Sequence, residues 1–132
     1  MKKTVLDSML LASTDPDRLR DWYAAVLDPV RNDTMDDYRV LKFGDFHMMI
    51  DRRDDIGPKA VDAPRMILNF DVADARDVAA RMEERGTTWV APLEDRDGSL
   101  FATAQDPDGN YVQIVQLSPE HLAAMEATPQ EA

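Results

Sequence analysis

Few side chains in this sequence could carry out chemistry, and none of them forms a recognisable catalytic constellation. The chain contains two histidines, His47 and His121, and no cysteine. The lack of cysteine excludes disulfides, thiolate nucleophiles and zinc ribbons, and no Ser–His–Asp or paired-carboxylate pattern is present. Asp71 is a candidate general base or cation anchor, because a carboxylate on a strand needs a cation, a donor or solvent. The alternative is a solvated aspartate at a strand end.

The composition limits the kinds of partner. The chain has 132 residues and a formal net charge of −11, which argues against nucleic-acid binding because that needs a basic face. An acidic surface favours cationic partners or serves only solubility. No stretch approaches the roughly 18 apolar residues of a membrane span, and the N-terminal residues lack the apolar run of a signal peptide. We therefore expect a cytoplasmic protein that binds neither nucleic acid nor membrane.

The first half of the chain has the pattern of a strand, a helix and a hairpin. Residues 5–13 are apolar with strand-compatible spacing, and Asp15 can cap a helix that Pro16 helps to start. The apolar residues that recur on one face of this helix are Leu19, Trp22, Tyr23, Val26 and Leu27. Two short strand patterns, 38–43 and 46–51, are separated by a two-residue turn typical of a hairpin.

The second half repeats this order. Residues 65–72 have the pattern of a strand, Asp74 can cap the helix that follows, and Gly86 can end it. Three further strand patterns lie at 87–91, 99–105 and 111–116, separated by turns rich in aspartate and glycine.

The repetition predicts an α+β fold of two βαβββ modules within a single domain, residues 1–132. The predicted parts are module one at about 4–52, a linker at about 53–64, module two at about 65–117 and a short C-terminal helix at about 118–126. The helix caps Asp15 and Asp74 give an offset of 74 − 15 = 59 between the modules. The turn glycines Gly44 and Gly109 give 109 − 44 = 65 for the last strands.

Three pieces of the sequence, in order, resemble the vicinal oxygen chelate superfamily, which includes glyoxalases, bleomycin-resistance proteins and extradiol dioxygenases. They are Ser13-Thr14-Asp15 with Asp21-Trp22-Tyr23, then Val72-Ala73-Asp74 leading to Gly86, then the strand–turn–strand of residues 101–114 with its Asp-Pro-Asp-Gly-Asn turn. The match covers about residues 5–117. The resemblance implies that the strands of the two modules curve into a half-barrel cleft, usually in a homodimer.

Metal-using members of that superfamily place four ligands, typically two histidines and two glutamates, on the cleft wall. The offsets map these positions onto Ser8, Met48, Ile67 and Gln113. None is a suitable donor for zinc, nickel, iron or manganese, which need imidazole or carboxylate ligands. By strand alternation His47 points opposite to Met48 and away from the cleft. We therefore predict no metal and no other cofactor.

Alternation along the strands also predicts a cleft with an apolar wall and a few polar groups, as in small-molecule pockets. The residues predicted to line it are Ser8, Phe46, Met48, Ile67, Asn69, Asp71, Trp89, Tyr111 and Gln113. The apolar members could instead fill a closed half-barrel. The amides of Asn69 and Gln113 could bond to backbone, and Trp89 could be partly buried core instead of a ligand-stacking residue.

Three functional hypotheses are compatible with this pattern. The first is a metal-free protein that binds and sequesters a cationic or amphipathic small molecule, as the bleomycin-resistance branch does. The second is an enzyme of the superfamily, a lyase, isomerase or dioxygenase, with an unusual or absent metal site; a metal-independent form could use Asp71 as base. The third is a structural or regulatory dimer with a vestigial cleft. A homodimer is expected under all three, because open strand edges need to be paired or covered.

Overall fold

The computed structural model describes residues 3–127, and its elements follow the duplicated order predicted from the sequence. The first five are β1 (Ser8–Ser13), α1 (Pro16–Leu27), β2 (Arg31–Met35), β3 (Tyr38–Phe43) and β4 (Phe46–Arg52). After a 3₁₀ turn (Ala63–Arg65) come β5 (Ile67–Asp71), α2 (Ala75–Glu84), β6 (Thr88–Arg96), β7 (Ser99–Gln105), β8 (Tyr111–Gln116) and α3 (Pro119–Glu126). The outermost residues of the predicted domain, 1–2 and 128–132, lie outside the described part.

The strands form two four-stranded sheets with the same topology. Their orders are β1-β4-β3-β2 and β5-β8-β7-β6. In each sheet the first strand is parallel to the last, and the remaining neighbours are antiparallel. This arrangement confirms the predicted α+β fold of two βαβββ modules.

Contacts divide the chain into two units whose limits differ from a simple division of the sequence. The first unit contains the residues up to Asp62 together with Asp106–Gly109, and the second contains Ala63–Gln105 and the residues from Asn110 onward. The turn that joins β7 to β8 therefore clusters with the first unit.

No helix within residues 3–127 is long and apolar enough to cross a membrane.

Two strands differ from the sequence-based prediction. The polar segment Arg31–Met35 was not predicted as a strand, yet it pairs with β3 as the edge of the first sheet. All five of its residues are exposed, so it lacks the apolar alternation by which strands are recognised. In the second sheet β6 runs to Arg96 rather than ending at residue 91, with irregular pairing after Trp89.

Helix α1 covers one face of the first sheet. Its start is fixed by the Asp15 side chain, which accepts a hydrogen bond from the Arg18 amide at 3.3 Å, and its last turn ends at Asp28 in the left-handed region. The side chains buried at this interface come from the helix and from β3 and β4, namely Leu19, Trp22, Tyr23, Val26, Leu41, Met48 and Ile50. The predicted apolar helix face is thus the face that packs on the sheet.

A buried hydrogen bond joins this helix to the β7–β8 turn. The Tyr23 hydroxyl donates to Asp106 Oδ2 at 2.6 Å, and both side chains are almost completely buried. The other carboxylate oxygen accepts the Asp108 amide at 2.9 Å. Burial is the main reason why the pKa of Tyr23 lies well above its usual 10.0, and the Asp106 carboxylate raises it further.

Three more polar contacts hold the same turn. Arg18 pairs with Asp108 at 3.0 Å, while Lys59 donates to the Pro107 carbonyl at 2.6 Å and the Ala60 amide donates to the Asp108 carbonyl at 2.7 Å. The linker after β4 is therefore bonded to the turn.

Helix α2 covers one face of the second sheet in the same way. The Asp74 side chain caps it by accepting the Asp77 amide at 3.0 Å, and the Ala75 amide donates to the side chain of Gln116 at 2.8 Å. The residues buried beneath it include Val78, Ala79, Met82, Ala102, Ala104, Val112 and Ile114. At the end of the chain, the Ser118 amide donates to buried Ser99 Oγ at 2.7 Å, and His121 contacts the same hydroxyl through Nδ1.

We expect Tyr23→Phe to lower the free energy of unfolding by about 1–3 kcal/mol, because it removes a donor from a buried carboxylate. The pKa of Tyr23 is higher in the folded protein, so its contribution is constant below pH 10.0 and decreases as the pH rises further. Urea unfolding between neutral pH and pH 11 should therefore show a smaller alkaline loss in Tyr23→Phe than in the wild type. The control is Tyr38→Phe, at a half-buried tyrosine; equal effects of the two variants would contradict the assignment.

Candidate functional site

The strand register decides which side chains share the uncovered face of the first sheet. Ser8 lies beside His47, and Leu10 lies beside Met49, whereas Met48 lies beside Met9 and Leu41. Residues directly opposite each other in a sheet point to the same side. The open face therefore carries Ser8, His47 and Met49, and Met48 lies on the face covered by α1, where it is 2% exposed.

This register corrects the predicted wall. Met48 and Phe46, which lie two residues apart on β4, do not share a face with Ser8, and His47 does not point away from it. The error comes from aligning Gly44 with Gly109. The first hairpin has two residues between its paired ends and the second has five, residues 106–110. When β4 and β8 are aligned by their pairing with β1 and β5 instead, His47 corresponds to Tyr111, an offset of 111 − 47 = 64.

A pocket of about 460 Å³ lies on this open face. Its lining comes from the three strands β2, β3 and β4, and consists of Arg31, Asp33, Thr34, Met35, Val40, His47 and Met49. Val40 is only 6% exposed although it lies on the face opposite to α1, so it forms the floor beneath the neighbouring side chains. The volume is within the range of about 300–1,000 Å³ usual for small-molecule sites.

The polar groups of the pocket lie mainly on the edge strand. Arg31 and Asp33 form an ion pair in which both side chains are about half exposed, so the pair adds little to stability. His47 lies in the same cross-strand row as Lys42 and Arg31. The arrangement combines an apolar floor with a polar rim, and can bind a molecule that has one apolar and one polar part.

The open face of the second sheet carries hydrogen-bonding side chains instead. The register places Ile67 beside Tyr111, Asn69 beside Gln113, and Asp71 beside Val115. Gln113 in turn lies beside Thr103 on β7. Five predicted site residues thus share this face; they are Ile67, Asn69, Asp71, Tyr111 and Gln113. Their contact with a ligand stays a prediction.

Trp89 does not lie on that face. It is paired with fully buried Ala104, and its indole N–H donates to the Glu83 carboxylate on α2. A tryptophan held against the helix is part of the packing between helix and sheet, so the alternative interpretation of Trp89 as partly buried core is the one seen. Its predicted place on the cleft wall is corrected, because the pairing of β6 with β7 places it on the covered side.

The donor set does not fit a catalytic metal ion. Among residues 3–127 no three histidine, cysteine, aspartate or glutamate side chains come close enough to hold one. With the corrected register, the mapped positions of the first sheet are Ser8 and His47, which supply one imidazole. Those of the second sheet are Ile67 and Tyr111, which supply none. A single imidazole is a poor site for zinc or iron. That the protein works without a metal stays a prediction.

Sequence reasoning missed the residues that form the pocket. Arg31, Asp33 and Met35 belong to the unpredicted edge strand, and Met49 was not among the residues predicted to line the cleft. No apolar alternation was available to find them, because Met35 is the single apolar residue of Arg31–Met35 and all five residues are exposed.

Comparison with known proteins agrees with this fold. The model of the glyoxalase-like domain family matches residues 4–115, and this chain belongs to that family. It is thus a member of the vicinal oxygen chelate superfamily. No curated protein matches the chain at a significant level.

Several solved structures have a similar fold. The fosfomycin resistance protein FosX from Mesorhizobium loti is 15% identical, with a TM-score of 0.69 over 93% of this chain and 99% of that one. A glyoxalase/bleomycin resistance protein from Albidiferax ferrireducens T118 is 18% identical, with a TM-score of 0.70 over 86% and 100%. The oxidase ChaP-H2 is 17% identical, with a TM-score of 0.71 over 89% and 96%. At these identities the likeness concerns the fold alone.

The assignment of faces can be tested by stability. We expect Met48→Ala to cost about 2–5 kcal/mol, because it leaves a cavity beneath α1. Met49→Ala should cost about 1 kcal/mol or less, because the open face can relax. Urea unfolding of the two variants measures both values. A larger effect at Met49 than at Met48 would mean that the register is shifted by one residue.

The lack of a suitable donor set predicts that divalent metals have no specific effect. Elemental analysis of the purified protein should find no stoichiometric ion, and manganese, iron, cobalt, nickel or zinc should leave the melting temperature unchanged. A specific stabilisation of about 2.7 kcal/mol, which corresponds to metal at about a hundred times its Kd, would contradict this prediction. A His47→Ala variant would then show whether the imidazole is a ligand.

Proposed function

We propose that this protein binds a small amphipathic molecule in the pocket on the open face of the first sheet, and that it does so without a metal ion. The observation that supports this most is the pocket itself, which has a buried valine floor, two methionine walls and a polar rim. A filled sheet face would have favoured the hypothesis of a vestigial cleft.

The apolar part of the ligand is expected to contact Met35, Val40 and Met49. Methionine side chains are unbranched and polarizable, and they adapt to ligands of different shape. Such a surface suits a protein that binds several related compounds more than one that positions a single substrate for reaction. Similar folds occur in a fosfomycin resistance protein and in a glyoxalase/bleomycin resistance protein, which is consistent with a role in binding a toxic compound.

Charge favours a cationic head group. The net charge of −11 raises the local concentration of cations around the protein. At the pocket, a cation can approach the Asp33 carboxylate, which is half exposed and forms an ion pair with Arg31. The ligand class is therefore an amphiphile with an apolar body and a positively charged end.

The remaining predictions belong to the same proposal. The polar residues on the open face of the second sheet, including Asn69, Asp71 and Gln113, remain candidates for ligand contact. A homodimer and a cytoplasmic location are expected as before.

The alternative of a metal-independent enzyme rests on Asp71, whose side chain is exposed at the end of β5. No hydrogen-bonded acid–base pair involves it among the described residues, so no specific observation favours this alternative.

A set of amphiphiles with the same tail tests both parts of the proposal. We expect octyltrimethylammonium to bind more tightly than octyl glucoside, and octyl sulfate to bind least, when each is titrated below its micellar concentration by calorimetry. The preference for the cation should decrease with added salt, because exposed charges are screened. Tightest binding of the sulfate would contradict the charge argument, and no binding of any member would contradict the pocket.

The matched variants are Met49→Gln in the pocket and Met66→Gln outside it, where the methionine is 70% exposed. Losing the burial of one apolar side chain against the tail removes about 1.5 kcal/mol, so Met49→Gln should weaken binding by about tenfold. Met66→Gln should bind like the wild type. Equal affinities of all three proteins would place the ligand elsewhere.

A further inference from the structure

Six of the eight methionines of this protein fall into three environments, and Met9 lies half-buried beside Met48. Met48 and Met82 are buried in the two cores at 2% and 0% exposure. Met66 and Met125 are exposed and away from the pocket. Met35 and Met49 line the pocket, and the first of them is 54% exposed.

Two thioethers in one accessible pocket make the site susceptible to oxidation. Apolar side chains without sulfur would line the pocket equally well and would not be oxidised. A hydroperoxide oxidises a methionine by transferring one oxygen: a sulfur lone pair attacks the peroxide, the O–O bond breaks, and water or an alcohol leaves. The product is a sulfoxide, which is polar, chiral and a strong hydrogen-bond acceptor. The reaction needs no group from the protein other than an accessible sulfur.

We propose that Met35 and Met49 form an oxidation-sensitive switch, in which a hydroperoxide converts their thioethers to sulfoxides and thereby releases the apolar ligand. The inference rests on the proposed function, since it concerns the regulation of the same pocket.

The consequence follows from where the sulfurs lie. Val40 forms a buried floor, with Met49 directly opposite it on β4 and Met35 diagonal to it on β2, two residues from its direct partner Asp33. An apolar ligand placed over Val40 would have to cover any sulfoxide oxygen on these walls and remove it from water, which costs free energy unless a donor is provided. The ligand class of the proposed function has an apolar body and offers none. Oxidation should therefore weaken binding while leaving the sheet intact.

Burial makes the oxidation selective. The sulfurs of Met48 and Met82 lie in close-packed cores, so peroxide should reach them only when the protein opens. Met66 and Met125 should react as readily as Met35, yet their oxidation should not affect the pocket. The chain thus contains both a protected pair and an exposed pair as internal controls.

The experiment is a hydrogen peroxide titration with peptide mass spectrometry, followed by calorimetry with octyltrimethylammonium. Binding is measured at doses that leave Met48 and Met82 unmodified. We expect oxidation at Met35 and Met49 to weaken binding by at least tenfold, and treatment with methionine sulfoxide reductases to restore it. The variant M66L/M125L should lose binding on oxidation as the wild type does. The variant M35L/M49L, compared with itself before and after peroxide, should not.

Three results would overturn the switch. The first is unchanged binding by protein oxidised at both pocket methionines, and the second is an equal loss in M35L/M49L. The third is resistance of Met35 to peroxide doses that oxidise Met66. Failure of the proposed function gives a different result, because octyltrimethylammonium would then not bind the untreated protein. In that case the switch fails with it.

Discussion

The hydrogen bond between Tyr23 and Asp106 determines much of the arrangement of the first unit. A buried carboxylate is stable only when donors surround it, and here the tyrosine hydroxyl and the Asp108 amide supply two of them. Because the tyrosine lies on the buried face of α1, the turn at residues 106–109 must lie against this helix. Its position then allows Arg18 and Lys59 to reach Asp108 and the Pro107 carbonyl.

The same packing explains why a site exists. Helix α1 packs on one face of the first sheet and α2 on one face of the second. The opposite face carries the pocket in the first sheet, and exposed Asn69 and Asp71 in the second. In the first sheet that face carries methionines over a valine floor, and in the second it carries amides, hydroxyls and Asp71. Two copies of one architecture therefore present different surface chemistries.

Membership of the vicinal oxygen chelate superfamily is compatible with a donor set that, among residues 3–127, does not fit a catalytic metal ion. The superfamily's fold is kept, but in the second sheet Ile67, beside Tyr111, stands where metal-using members would have a donor, and in the first sheet the row of Ser8 and His47 supplies a single imidazole. The side chains on these faces are suited to recognition by shape, apolar contact and charge. Fold and function are separable for this reason, since function depends on the side chains that the fold presents.

The sequence by itself determined the two modules, both helices with their aspartate caps, and the turn at residues 106–110. These features depend on local signals, namely apolar periodicity, capping residues and turn residues, that act over a few positions. It also determined that Ile67, Asn69 and Asp71 share a face, because alternation within one strand has a fixed period.

The tertiary structure decided which faces of different strands coincide. A shift of one residue moves every side chain of a strand to the opposite face, and the unequal lengths of the two hairpins produced such a shift at Met48 and His47. It also decided that Arg31–Met35 is a strand, because an exposed polar edge is stabilised by pairing with β3 and not by an apolar pattern. The pocket depends on both features, and this is why only the folded chain contains it.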